Sequence, residues 1–151
     1  MDIHIDDLEG PEIAQLLCAH LENAADHSPP DSIHALDLNA LKQTEITFWS
    51  IWDKGHLLGC GALKELTSTH GEIKSMHTSQ NHRGRGIASK LLQHIISVAK
   101  KRGYENLSLE TGTMAGFAPA RAIYKKHGFG ECPPFANYFI DPNSVCMTLA
   151  L

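Results

Sequence analysis

The chain has 151 residues, the size of one domain and long enough to bury a proper hydrophobic core. Hydrophobic residues make up 42% and charged residues 20%, and a net charge of −4 without a basic stripe argues against a nucleic-acid partner. No apolar run approaches ~20 residues and no basic, apolar leader opens the chain, so no membrane partner is expected.

Residues 1–6 alternate weakly and predict a first strand. Asp6 and Asp7 are expected N-caps, and Pro11 and Glu12 suit a first helical turn. Ile13, Leu16, Leu17 and Leu21 follow at helical spacing. Consecutive prolines make residues 26–35 a loop, and 37–42 predict a short helix. Glu45 to Trp52 is rich in Ile, Thr, Phe and Trp and reads as a strand. Asp53-Lys54-Gly55-His56 is a hairpin signal, with the return strand over Leu57 to Leu66. Glu72 to Thr78 is the next strand. Ile87, Leu91, Leu92, Ile95, Ile96 and Ala99 then give a strong helical period, closed by Lys100, Lys101, Arg102 and Gly103. Leu107 to Thr111 is a strand, Phe117 to His127 a helix with Pro119 in its first turn, and Gly128 its stop. Pro133 to Tyr138 is an aromatic, proline-rich stretch, and Val145 to Leu149 a final strand. The unit 72–111 is a βαβ crossover with parallel strands.

The segment Arg83-Gly84-Arg85-Gly86-Ile87-Ala88 joins a strand to the start of an amphipathic helix. Glycines there let the backbone approach a phosphate, the helix N-terminus offers free N–H donors, and two arginines add positive charge. No G-K-[ST] follows and G-x-G-x-x-G is absent, which excludes a P-loop and a dinucleotide fingerprint. Cys18, Cys60, Cys132 and Cys146 form no C-x-x-C pair. They fit a reducing cytoplasm and suggest neither zinc nor a redox motif. The ten histidines show no H-x-x-x-H or H-E-x-x-H pattern, so no metal is expected.

Arg83-x-x-Gly86-x-Ala88 resembles the acetyl-CoA signature of the GNAT (GCN5-related N-acetyltransferase) family. Ala120-Arg121-Ala122-Ile123-Tyr124-Lys125-Lys126-His127-Gly128-Phe129 resembles that family's A-x-x-L-Y-x-x-x-G-F segment. Phe117 stands where the family often has an Asn, so that residue's role is not carried over. Ile123 stands in place of Leu. Gly59 to Leu66, Gly71 to Met76, Leu109 to Gly112 and Asp141 to Val145 further resemble the YsnE-type bacterial subgroup.

The resemblance implies an α+β fold: a mixed, mostly antiparallel sheet, flanked by helices, whose central parallel pair splays apart to admit the pantetheine arm of acetyl-CoA. Those strands are 72–78 and 107–111. Met76, His77 and Thr78 would offer backbone groups to the pantetheine amides. Arg83, Gly84, Arg85, Gly86, Ile87 and Ala88 would hold the pyrophosphate, and Ser89 would add a hydroxyl. Tyr124 matches the general acid, since a phenol with a pKa near ~10 keeps its proton at neutral pH. The base is left among Glu110, Glu72, Glu65 and His77. For the acceptor, Ser32, His34 and Asp37 of the proline loop and Tyr138 of the aromatic tail are the candidates. Trp49 and Trp52, at odd separation on a strand, point to opposite faces, so at most one lines the cleft. The acceptor is expected to be a small-molecule or amino-acid-like amine. A peptide amine and a non-catalytic acyl-CoA sensor are the alternatives. A homodimer paired through the C-terminal strand is compatible with the family.

Overall fold

A computed structural model describes residues 1–27 and 38–151. In chain order the elements are β1 (Asp2–Ile5), α1 (Pro11–His27), α2 (Leu38–Leu41), β2 (Ile46–Asp53), β3 (His56–Thr67), β4 (His70–Thr78), α3 (Ile87–Lys101), β5 (Asn106–Gly112), α4 (Ala118–Lys126), β6 (Gly130–Cys132) and β7 (Ser144–Ala150). The seven strands make one sheet in the order β1-β2-β3-β4-β5-β7-β6. Every pairing is antiparallel except β4 with β5. The expected mixed sheet with a central parallel pair is therefore present. Among the described residues no helix is long and apolar enough to cross a membrane.

Strand alternation sorts the core onto two faces. On one face α3 lays Leu91, Leu92 and Ile95 against Leu63, Ile73, Leu107 and Leu109, with Tyr124 and Phe129 from the α4 end joining them. On the other, α1 and α2 bring Ile13, Leu17 and Leu41 onto Phe48, Cys60 and Ala62. The hairpin between β2 and β3 turns through Lys54 and Gly55, both at positive φ (51° and 78°), with Asp53 opposite His56. That is the two-residue geometry matched to strand twist.

Both long helices of the α3 face stop in the same way. At α3 the Gly103 N–H donates to Lys100 and the Tyr104 N–H to Ala99. At α4 the Gly128 N–H donates to Lys125 and the Phe129 N–H to Tyr124. The two glycines sit at φ 82° and 97°. This is the Schellman arrangement, which satisfies the orphan carbonyls of a helix end.

One expectation is corrected, and two features are added to the reading. Asp6 and Asp7 do not cap α1: their carboxylates accept from the Leu8 and Glu9 N–H groups, two residues on, and form local turns ahead of the helix. The short strand β6, absent from the sequence reading, pairs with β7 over Cys146 to Thr148, so that stretch of the C-terminal strand lies between β5 and β6. Neither tryptophan lines the cleft. Trp49 is buried against α3 with its ring edge-on to His94, and the Trp52 indole N–H donates to Ser50 Oγ at 2.9 Å.

Gly61 marks a close approach between β3 and α3. A β-carbon there would overlap Met76 Sδ and press on Leu91 and Ile95. Gly61→Ala should therefore lower the unfolding free energy by roughly 1–3 kcal/mol, read as a shifted urea midpoint.

Candidate functional site

The site begins where the parallel ladder ends. β4 and β5 pair over four rungs, from His70 with Asn106 to Ile73 with Leu109. Beyond Ile73, β4 keeps only its β3 partner and β5 keeps only β7. A bulge accompanies the parting: Ser75 sits at φ 57°, and Ser75 and Met76 together oppose Gly61. Bulges bend and twist a strand, which turns β4 away from β5. The gap opens into a cavity of about 430 Å³ at the carboxyl ends of the parallel strands, where ligands of α/β sheets commonly bind.

One end of the cavity is the start of α3. Gly84 and Gly86 are at φ 79° and 75°, with open space where a side chain would stand. The first intrahelical bond runs from the Lys90 N–H to Gly86, and no side chain caps the helix. The N–H groups of Ile87, Ala88 and Ser89 thus lack intrahelical acceptors, a donor set that could take an anion. Arg83 lines the same wall.

The two sheet faces give the gap two chemically different sides. From the α3–α4 face comes Tyr124, 8% exposed, with Phe129 edge-on to its ring at 5.9 Å. Burial, and then the charge of Glu110, push its phenol above the ordinary value. From the α1 face come Glu72, Lys74 and Glu110. Lys74 Nζ donates to Glu72 Oε2 at 3.1 Å and to Tyr138 Oη at 2.8 Å, and Tyr138 Oη donates to the same Glu72 oxygen at 2.6 Å. The Lys74 and Glu72 side chains are buried, 9% and 3% exposed, and Tyr138 is half-buried over them. Burial, then Glu72, raise the Tyr138 phenol.

α1 closes this side with His20, Asn23 and Ala24. His20 and His77 meet Nδ1 to Nδ1 at 3.3 Å, so one of the two nitrogens carries the shared proton. Burial lowers both rings to about 4; proximity to His20 and Arg83 adds to the shift of His77. The pair is neutral at pH 7, which leaves His77 a poor base. Opposite, Arg121 donates to the carbonyls of Gly112 and Met114 at 2.7 and 3.0 Å and fixes the turn from β5 into α4. Phe117 packs its ring directly on Gly112, where any side chain would overlap it.

The structure brings together Glu72, Met76, His77, Thr78, Arg83, Gly84, Gly86, Ile87, Ala88, Ser89, Glu110, Tyr124 and Tyr138 around one cavity. Ser89 Oγ is also within 3.2 Å of His127 Nε2, which ties α3 to α4. Arg85 is not brought in. Flanked by two positive-φ glycines, it turns outward and pairs with Asp53 at 3.5 Å. Glu65 is not brought in either; it accepts from the Tyr104 hydroxyl at 2.7 Å at the far end of the sheet. Ser32, His34 and Asp37 lie outside the described residues. Lys74, His20 and Asn23 escaped the sequence reading. Lys74 had a signal, since it shares strand parity with Glu72. Among the described residues no three His, Cys, Asp or Glu side chains are grouped to hold a metal ion.

Residues 11–129 match the model of the acetyltransferase (GNAT) family. The chain is 58% identical to the uncharacterized N-acetyltransferase YsnE of Bacillus subtilis (strain 168), over the whole of both chains. It is 48% identical to the uncharacterized N-acetyltransferase YedL of Escherichia coli (strain K12), over 99% of this chain and 94% of that one. Among solved structures, a GNAT family acetyltransferase from Elizabethkingia anophelis with acetyl-CoA bound superposes with a TM-score of 0.73 at 20% identity, covering 99% of this chain and 97% of that chain.

The histidine pair gives the fold a pH limb. As pH falls from 6.5 towards 4, the unfolded chain takes up protons at His20 and His77 that the folded chain refuses. Their contribution is complete above 6.5 and is lost progressively below it. Urea midpoints of the double variant His20→Gln, His77→Gln should fall less steeply across that window than those of the unaltered protein.

Proposed function

The chain belongs to the acetyltransferase (GNAT) family, and on that premise we propose that it transfers the acetyl group of acetyl-CoA directly to the amine of a small molecule. The observation that carries this reading is the two-sidedness of the gap: a buried phenol on one face and two carboxylates on the other, Glu72 at the end of the ladder and Glu110 just past its last rung. The residues present fit an extended, polyanionic ligand. Strand edges at 74–78 and 110–112 face each other without a ladder between them, and the α3 N-terminus with Arg83 supplies donors for a diphosphate.

When bound, acetyl-CoA supplies an activated acyl group and a thiolate leaving group. Met76, His77 and Thr78 hold the arm through their backbones. Gly84, Gly86, Ile87, Ala88 and Ser89 hold the phosphates. Arg83 contributes charge at that end. Arg85 belongs to the Asp53 ion pair instead.

Two proton tasks remain, and the two faces divide them. Glu72 Oε2 already accepts from both Lys74 and Tyr138, so its lone pairs are committed and it acts as an electrostatic anchor. Glu110, two levels further and on the same face, takes the proton from the attacking amine. Tyr124, on the opposite face, donates to the sulfur. Its phenol is a weaker acid than a thiol, so its hydrogen bond strengthens as charge develops in the transition state. The proton returns through solvent, and Glu110 lies near enough for its charge to raise the Tyr124 phenol. The pathway joins one acid and one base across the gap.

Two substitutions test the reading. Gly86→Glu should abolish binding of CoA by calorimetry while leaving the circular dichroism unchanged, because a carboxylate would meet the phosphates; retained affinity would remove the phosphate site. Tyr124→Phe should lower kcat by about 10²-fold or more with the CoA dissociation constant unchanged. Equal turnover would assign the sulfur proton to water.

A further inference from the structure

We propose that the acceptor is an α-amino acid taken up as its zwitterion, with its amine at Glu110 and its carboxylate at Lys74. The inference rests on the acetyl-transfer reading above and names the substrate class of the same site.

The register carries it. The last rungs of the parallel ladder are Glu72 with Ser108 and Ile73 with Leu109. The next level would set Lys74 opposite Glu110, but there the strands have parted. Ile73 and Leu109 belong to the α3-face core. Lys74 and Glu110, one residue on, therefore both face α1. A cation and an anion thus stand on the two lips of the gap, at one level, on one side, and both line the cavity.

Lys74 is equipped for a carboxylate. An ammonium carries three donors. Two go to Glu72 and Tyr138, which fix its position with the side chain 9% exposed. The third is available to a ligand. A bound zwitterion then completes an alternating row: the Glu110 carboxylate, the ligand amine, the ligand carboxylate, the Lys74 ammonium and the Glu72 carboxylate. The amine is held beside its base and within reach of the acyl carbon. An amine without a carboxylate leaves the Lys74 donor unmatched in a desolvated site, and that asymmetry is what yields selectivity. A purely structural ion pair has no need of this level of the sheet. Burying a lysine costs free energy wherever it occurs, and here the cost falls where the acyl group arrives.

The test compares each L-amino acid with its primary amide, which keeps the amine and side chain but lacks the carboxylate. CoA release is followed for both series, and binding of each compound to the CoA-loaded protein is measured by calorimetry. At least one amino acid should exceed its amide by about 10- to 100-fold in kcat/KM and in affinity. Lys74→Gln should collapse that ratio towards unity, and Lys74→Arg should keep most of it. The comparison on the unaltered protein stands without either variant, should they fold poorly. Amides turned over as well as amino acids would overturn the zwitterion and leave acetyl transfer standing. No CoA release with either series, nor with simple primary amines, from protein that binds acetyl-CoA, would overturn both.

Discussion

The four-rung parallel ladder between β4 and β5 is the constraint on which the rest depends. A parallel pair needs a crossover, and α3 provides it, which places a helix N-terminus just beyond the end of β4. The same ladder fixes parity. Ile73, Leu107 and Leu109 go to α3, while Glu72, Ser108 and Glu110 go to α1. Had the ladder continued for two more rungs, the gap would close and backbone would satisfy backbone. The bulge at Ser75 and the close approach at Gly61 end it instead. Strand edges freed in this way need partners, so the opening is suited to a ligand that can hydrogen-bond along its length.

Helix termination gives a physical account of one family-like segment. In Tyr124-Lys125-Lys126-His127-Gly128-Phe129, the glycine accepts positive φ, the following N–H closes on Tyr124, and the Phe129 ring packs on the Tyr124 ring. The spacing is that of a Schellman cap with its hydrophobic contact. The same device ends α3, where Ala99, Gly103 and Tyr104 take the three positions. Tyr124 is therefore held by a structural motif whose geometry owes nothing to chemistry. What distinguishes it from Ala99 is that it lines the cavity as well as belonging to the core.

Much of the architecture was legible because it rests on short-range rules. The 3.6-residue period marked α3, the Asp53-Lys54-Gly55-His56 turn marked its hairpin, and glycines marked both helix ends. The glycine loop marked the start of α3. Long-range facts were not legible. His20 and His77 are 57 residues apart, and nothing local says that they share a proton. Asp6 and Asp7 carry the residue type of a helix cap, yet their carboxylates close on nearer N–H groups before the helix begins. Arg85 had the right charge in the right loop, but two positive-φ residues around it turn the chain so that it faces Asp53. Residue type predicted its chemistry, and backbone geometry decided its direction.

The two carboxylates of the gap show how parity and partners together assign different roles to similar side chains. Glu72 and Glu110 lie on the same face of adjacent strands, two levels apart, and composition cannot rank them. Glu72 lies at a paired rung, where the protein fills its surroundings with its own donors: an ammonium and a phenol converge on a single oxygen. A carboxylate oxygen held that way already has its acceptor positions filled by the protein. Glu110 lies one level past the ladder, beside the space a ligand would occupy, and its charge is felt by the phenol on the opposite face. In the proposed reaction this difference suffices. The carboxylate at the paired rung anchors the site, and the one beyond the ladder exchanges protons with the ligand.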